Sequence, residues 1–381
     1  MAKKQNLSLK AERKQTEYWR QLQKGVFSPD KTRFEAEYGK INSLNNDTRF
    51  SINQAFSLPV VYKRQRQLYE AEEEVQQQWV NWQETEIVRE VSILFYQLVE
   101  MQEREKMLIR LDSVFNQFQQ SAALRLEAGE TNMLEKVSAE AQSQQLSLQK
   151  QQLEDDLKIV QLRLQRFLNT EDLILPNYSS LKKVQAGIGL VDRNGVAAHP
   201  QLQYNLVQEK LAVAQTQKER TLLSPDLGLG YSNMSIVGYQ SRDGVSQEYF
   251  SGGDRFSAFN LTLGIPLINK ATKSRIRASR INEQVARMQT EITAQRIRSD
   301  IEQAREEVKK YQRSLAYYEQ GGLKQAELLI SHAKEGFENG EIGYVEWTML
   351  MNNAVNIQLG YIGAVSQYNR ALIELEYLII K

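Results

Sequence analysis

The sequence predicts a mainly α protein with a small β part, in which one structural unit is written twice. Three observations predict this. The 6 prolines form a repeating pattern: Pro29 and Pro59 recur as Pro225 and Pro266, with Pro176 and Pro200 between the copies. The text around them also repeats. Phe27-Ser28-Pro29-Asp30 answers Leu223-Ser224-Pro225-Asp226, and Leu126-Glu127-Ala128-Gly129-Glu130 answers Phe337-Glu338-Asn339-Gly340-Glu341. Finally, the apolar period changes from 3.6 to 2 between the two prolines of each copy and then changes back. Residues 1–170 read as the first repeat, 171–198 as a linker and 199–381 as the second repeat. The larger insertion lies between the prolines of copy two.

Each copy opens with a helix of about six turns, Leu7 to Val26 and Leu202 to Leu222. Strands follow. Phe34, Ala36 and Tyr38 alternate with Arg33, Glu35 and Glu37, and Phe50, Ile52, Phe56 and Leu58 alternate with Ser51, Asn53, Ala55 and Ser57. In copy two, Leu227, Leu229 and Tyr231 alternate with Gly228 and Gly230, and Phe259, Leu261, Leu263 and Ile265 alternate with Asn260, Thr262 and Gly264. These segments predict two hairpins, four strands in all, apolar on one face and small or polar on the other. Tilted strands of nine or ten residues reach about 25 Å, the height of a bilayer's apolar band. A hairpin packed on a helix satisfies the same pattern.

Helices without breakers come next. Val60 to Ala128 contains neither glycine nor proline, enough for a helix of roughly 100 Å. The return helix runs from Glu130 and ends near Leu168. In copy two a helix from Leu267 is expected to break at Gly321-Gly322 and resume to Lys334, with a return helix from Tyr344 to Ile380. Ile87, Val91, Leu94, Leu98 and Met101 step by three or four, as do Leu146, Leu153, Val160, Leu164 and Phe167 with gaps. Such thin stripes on long helices predict coiled-coil packing, with two short helices end to end beside each long one.

Composition narrows the function. Basic and acidic residues balance at 48 and 47, so there is no nucleic-acid footprint. The absence of cysteine excludes disulfides, thiol catalysis and thiolate metal sites. Met1-Ala2-Lys3-Lys4-Gln5 has no apolar core, so no signal peptide is expected on this chain. No apolar run is long enough for a transmembrane helix. A soluble helical protein and a membrane β-barrel both remain open at this point.

The sum of these parts resembles the TolC family of outer-membrane efflux ducts over essentially the whole chain. His199-Pro200-Gln201-Leu202 is similar to the family's helix opening. Leu263-Gly264-Ile265-Pro266-Leu267 is similar to its strand-to-helix exit, and Gly129 and Gly340 to its glycines at the helix turns. Glu37 to Ser43 also resembles the heavy-metal CusC/CzcC-like branch of Bacteroidota. Copy one starts at Asn6-Leu7, where the opening motif is already under way, as expected of a trimmed or mature chain or a piece of a fusion.

The resemblance implies a homotrimer with a 12-stranded β-barrel and a long-helix α-barrel, placed in the outer membrane and extending into the periplasm. It implies a passive duct, not an enzyme, with no cofactor. Its partners would be outer-membrane lipid, a periplasmic adaptor and an inner-membrane pump of the RND type. Four strands in lipid would leave two open edges, which a bilayer does not tolerate, so closure with further copies follows. A soluble coiled-coil scaffold or periplasmic adaptor is the alternative, but it has no use for four strands of membrane height.

Candidate sites follow. Phe34, Tyr38, Phe50, Ile52, Leu229 and Leu261 are expected to face lipid. Glu135 and Glu346 each stand six residues after a turn glycine, where tip acids of the family constrict the duct or attract cations. The alternative for each is a solvated glutamate favoured by the helix dipole. Leu126, Gly129, Glu130, Phe337, Gly340 and Glu341 are expected to dock the adaptor. Lys63, Arg64 and Arg66 after Pro59, and Lys270, Lys273, Arg275 and Arg277 after Pro266, oppose the helix dipole. Anionic headgroups at the membrane's inner surface would offset them, as would reach into solvent. His199 and His332 have no metal-ligand spacing. Met349 and Met351 do not share a helix face, Trp79 and Trp82 suit packing between helices, and Asp30 and Asp226 suit turn caps.

Overall fold

The computed structural model describes residues 1–129, 132–176, 181–184, 195–241 and 244–379. Nine helices and six strands run in the order α1 (Ala2–Gln5), α2 (Leu7–Lys24), β1 (Arg33–Gly39), β2 (Asp47–Ser57), α3 (Pro59–Glu127), α4 (Met133–Leu168), α5 (Gly195–Ala198), α6 (Pro200–Arg220), β3 (Asp226–Ser235), β4 (Gly238–Ser241), β5 (Gln247–Phe250), β6 (Arg255–Gly264), α7 (Lys270–Tyr317), α8 (Leu323–Glu338) and α9 (Tyr344–Leu378) among the described residues. The chain forms two compact units. One comprises Met1–Ala11, Val80–Gln203 and Ile292–Lys381, and the other Glu12–Trp79 and Tyr204–Glu291.

The second unit holds the sheet, a four-stranded antiparallel β1-β2-β3-β6 in which the central β2–β3 pair joins the two sequence copies. The expected four strands are present. A small β4–β5 hairpin, missed by the sequence pattern, occupies the insertion of copy two. Asp226 opens β3 and accepts from Ser57 at 3.4 Å, so it is a strand residue and not a turn cap. The helical part is thinly packed: Val75, Val207 and Leu211 are its buried cluster, with Trp79 against Tyr204 at 5.4 Å.

The first unit is helical and has three buried clusters. Ile87, Leu94, Leu98 and Met101 of α3 meet Val160 and Leu164 of α4, with Val91 and Leu153 alongside, as the stripes predict. The end-to-end joints are visible here as well. The Asn6 carboxamide donates to the carbonyl of Phe167 near the end of α4 (3.1 Å) and accepts from the backbone N–H of Leu9 in α2 (3.2 Å). In copy two, His199 takes the corresponding place. It caps α6, its Nδ1 accepting from the backbone N–H of Gln201 (3.2 Å), and its ring lies edge-on to Tyr377 of α9.

Gly321 and Gly322 do not break the helix. Tyr318–Gly322 forms a π turn that joins α7 directly to α8, and α8 continues past Lys334 to Glu338. Within this turn Tyr318 packs onto Gly360 of α9, where a Cβ would collide with the tyrosine hydroxyl. Insertions of this kind recur at functional positions. Beside it, Lys183 pairs with Glu319 at 2.8 Å. Asn369, fully buried, holds the segment 181–184 to α9, accepting from Val184 N–H (2.8 Å) and donating to the Lys182 carbonyl (3.0 Å).

Candidate functional site

The sheet separates its side chains by chemistry. Residues paired directly across antiparallel strands share a face. The register Phe34↔Ile52, Ile52↔Tyr231 and Tyr231↔Phe259 therefore draws one apolar row across all four strands. Phe50 and Tyr38 lie on the same face by alternation, as do Leu229 and Leu261, themselves a direct pair. All six residues expected to meet lipid thus share one face, and all six are exposed. Among the described residues, no buried cluster includes side chains of that face.

The opposite face is polar. Asn53, Gly230 and Asn260 form a row. A Cβ at Gly230 would sit 2.2 Å from Asn53 Oδ1 and 2.1 Å from Asn260 Oδ1, so glycine leaves room for the two amides. Ser51 donates to Glu35 (3.3 Å) and Arg49 to Glu37 (3.1 Å). Phe256, on this face beside Met234, packs against Phe250 of the added hairpin at 5.4 Å. The hairpin's root is fixed by Asp47, whose carboxylate is buried and accepts from Val237 N–H (2.8 Å) and Asn42 N–H (3.0 Å). β1 and β6 are the sheet's two outer strands, each paired on one side only.

The helix turns carry the second group of candidates. Gly129 and Gly340 have φ of 75° and 76°, the left-handed region that glycine enters without strain. Among the described residues, nothing lies within 4 Å of a Cβ built at either position. Leu126, Phe337 and Glu341 flank them, whereas Glu130 lies outside the described residues. Glu135 and Glu346 both sit in the first turn of a return helix, yet their surroundings differ. The Glu135 side chain is only 12 % exposed and faces Arg125 at 3.9 Å, while Glu346 is exposed. Burial, together with the charge of Glu135, raises the pKa of Tyr344. Phe118 stacks on Trp347 at 3.7 Å and touches Phe337 and Tyr344, an aromatic cluster that sequence patterning does not reveal.

The remaining candidates are structural. Trp82 donates to Glu86 (3.2 Å) and Tyr377 (3.3 Å). Tyr377 in turn donates to Glu86, and Arg89 grips both oxygens of Glu374 at 3.0 Å. Burial works against the charge of Arg89, but its bonds to Glu374 and Glu86 more than offset this and raise its pKa. Burial lowers the pKa of His199. Met351 is buried and Met349 exposed, as opposite helix faces require. Among the described residues no group of three or more His, Asp or Glu side chains could hold a metal ion. No helix among them is long and apolar enough to cross a membrane.

No family model matches the chain, and no curated protein matches it in sequence. Solved structures do. The outer-membrane channel OprN superposes with a TM-score of 0.83 at 15% identity, covering 99% of this chain and 88% of its own. The Campylobacter jejuni outer-membrane channel CmeC gives 0.82 at 14%, over 99% and 84%. The channel CusC gives 0.78 at 14%, over 99% and 90%. The chain has the fold of the TolC-type outer-membrane channels, in which a helical barrel continues a β-barrel.

Proposed function

We propose that the chain is the exit duct of a tripartite efflux system, a passive channel through the outer membrane and periplasm. The observation that carries this reading is the sheet itself: one exposed apolar face, one polar face and two unpaired outer strands. In water that apolar face would be an aggregation site. In lipid it is solvated, provided the strands close. Three copies joined β6 to β1 give a barrel of twelve strands with Ser51, Asn53, Asn260 and Thr262 lining water. The soluble scaffold has no comparable observation in its favour.

The rest of the assembly follows from the resemblance. The helix turns around Leu126, Gly129, Glu130, Phe337, Gly340 and Glu341 meet a periplasmic adaptor, which couples the duct to an inner-membrane pump of the RND type. Glu135 and Glu346 set the charge of the periplasmic opening. The repeat boundaries remain 1–170 and 199–381, joined by 171–198. The likeness of Glu37–Ser43 to the heavy-metal branch leaves metal ions and drugs both open as cargo, and either would be carried through the duct rather than held as a resident cofactor. The chain supplies a path, and energy comes from the pump.

Mass measurement tests the assembly. A trimer in detergent that aggregates without it supports the duct; a soluble particle indifferent to detergent overturns it. Cysteines at Glu130 and Glu341 test the partner. Crosslinking to a co-expressed adaptor is expected from both, and an active pump with no crosslink at either site would remove the docking role.

A further inference from the structure

The duct reading leaves one feature of the sheet unit without a role. Where β2 passes into α3, Phe27, Phe56, Leu58, Tyr62 and Leu227 line an open cavity of about 660 Å³. Leu229 and Leu261 extend it onto the apolar face of the sheet, and no carboxylate lines it. Lys63 and Arg66 stand at its rim. Three residues apart, they share one face of α3. Neither side chain has a hydrogen bond or ion pair among the described residues, whereas neighbouring Arg64 is held by Gln67 at 2.8 Å. The first turn of α3 contains no acid that could offset the two cations.

We infer that this groove binds an anionic phospholipid, its acyl chain along the apolar walls and its phosphate on Lys63 and Arg66. The inference rests on the duct reading, which places the apolar face in a membrane. A phosphate matches both cations, since guanidinium donates to it in a fork and ammonium as a point charge. A free anion would leave the apolar walls wet, and an uncharged lipid would leave the cations unpaired. Only an amphiphile with a negative head satisfies both halves. Copy two repeats the sequence pattern after Pro266. Exposed Leu267 and Ile268 precede Lys270, Lys273 and Arg277, whose side chains also have no partner among the described residues. Arg275 alone is taken, by Glu219 at 3.1 Å. The collar is therefore basic and apolar in both copies.

The test uses the full-length protein, purified in detergent and stripped of lipid, with phosphatidylglycerol and phosphatidylcholine as probes and retained lipid counted by native mass spectrometry. Wild type is expected to prefer phosphatidylglycerol. Each basic residue at an anionic surface contributes roughly fivefold, so Lys63→Gln with Arg66→Gln is expected to lower that preference about thirtyfold. Leu58→Trp, which fills the groove, is expected to reduce retention of both lipids. Equal retention of the two lipids by wild type, or an unchanged preference in the double variant, overturns the inference. Complete displacement by inorganic phosphate overturns it too, because the site would then hold the anion alone. If any of these occurs while the protein still forms detergent-dependent trimers, the duct reading stands. If wild type is soluble without detergent and retains neither lipid, both fail together.

Discussion

Adjacent residues of β2 should respond oppositely to the same charge. Ile52 is the central residue of the 11-residue strand Asp47–Ser57, which rises about 3.3 Å per residue and, when tilted, spans roughly 25 Å. Ile52 thus stands near mid-height, in the apolar row with Phe34, Tyr231 and Phe259. On the lipid-facing reading, arginine there meets hydrocarbon at its thickest and should destabilise the barrel by about 2–4 kcal/mol, falling to about 0–1 kcal/mol near the strand ends. Ser51→Arg places the same side chain on the other face, opposite Glu35, to which Ser51 already donates at 3.3 Å. It should be neutral in stability and lower cation conductance. Asn260→Arg should behave likewise. The assay is urea-induced unfolding from lipid vesicles, with single-channel current measured on the same variants. If Ile52→Arg and Ser51→Arg are equally damaging, both faces are packed against protein and the lipid-facing assignment is wrong.

Three further outcomes are expected. Arg89→Ala leaves Glu86, Glu90 and Glu374 clustered without their cation; with the pair 23% and 27% exposed, the loss should be about 2–3 kcal/mol, below the roughly 3–5 kcal/mol of a fully buried pair, and Glu374→Gln should restore part of it in a thermal melt. His199 has a folded pKa below its ordinary 6.5, so the unfolded chain takes up its proton first and stability falls as pH drops through that value; His199→Asn, which keeps an acceptor for the Gln201 N–H, should flatten the melting temperature between about pH 7.5 and 5.5, and an unchanged slope would assign the dependence elsewhere. Valine at Gly129 or Gly340 meets no neighbour within 4 Å but must hold φ near 75°, a strain of about 1–2 kcal/mol; trimers should persist in detergent while adaptor capture is lost, and normal capture would show that the turn conformation is not read.

Much of this was legible because its signals are local. The stretch from Val60 to Ala128 lacks breakers, so α3 could be placed almost to the residue. Alternation in Phe50–Ile52 and Phe259–Leu261 fixed which side chains share a face, since a strand's period is two. Features that depend on distant partners were not legible. Gly321-Gly322 reads as a break because nothing nearby announces that Tyr318 will pack on Gly360. The four-residue strands β4 and β5 are too short to show a period. Their anchor, Asp47, is one carboxylate among 47 acidic residues until the fold brings Val237 to it.

The turns show the same limit. By the repeat of Gly129 as Gly340, Glu135 and Glu346 are equivalent, yet the residues around them have diverged. Arg125 corresponds to Gly336, Met133 to Tyr344 and Lys136 to Trp347. Arginine keeps one acid occupied, and glycine leaves the other without a nearby cation from that position. The aromatic pair gives copy two a packed base against Phe118 that copy one cannot build from methionine and lysine. Duplication therefore supplied two turns whose glycines share one φ, and divergence gave the residues around them different charge and packing. In a closed trimer the exposed acid falls on every second turn. Neutralising Glu346 should then change ion preference more than neutralising Glu135, whose loss should instead loosen the Arg125 contact.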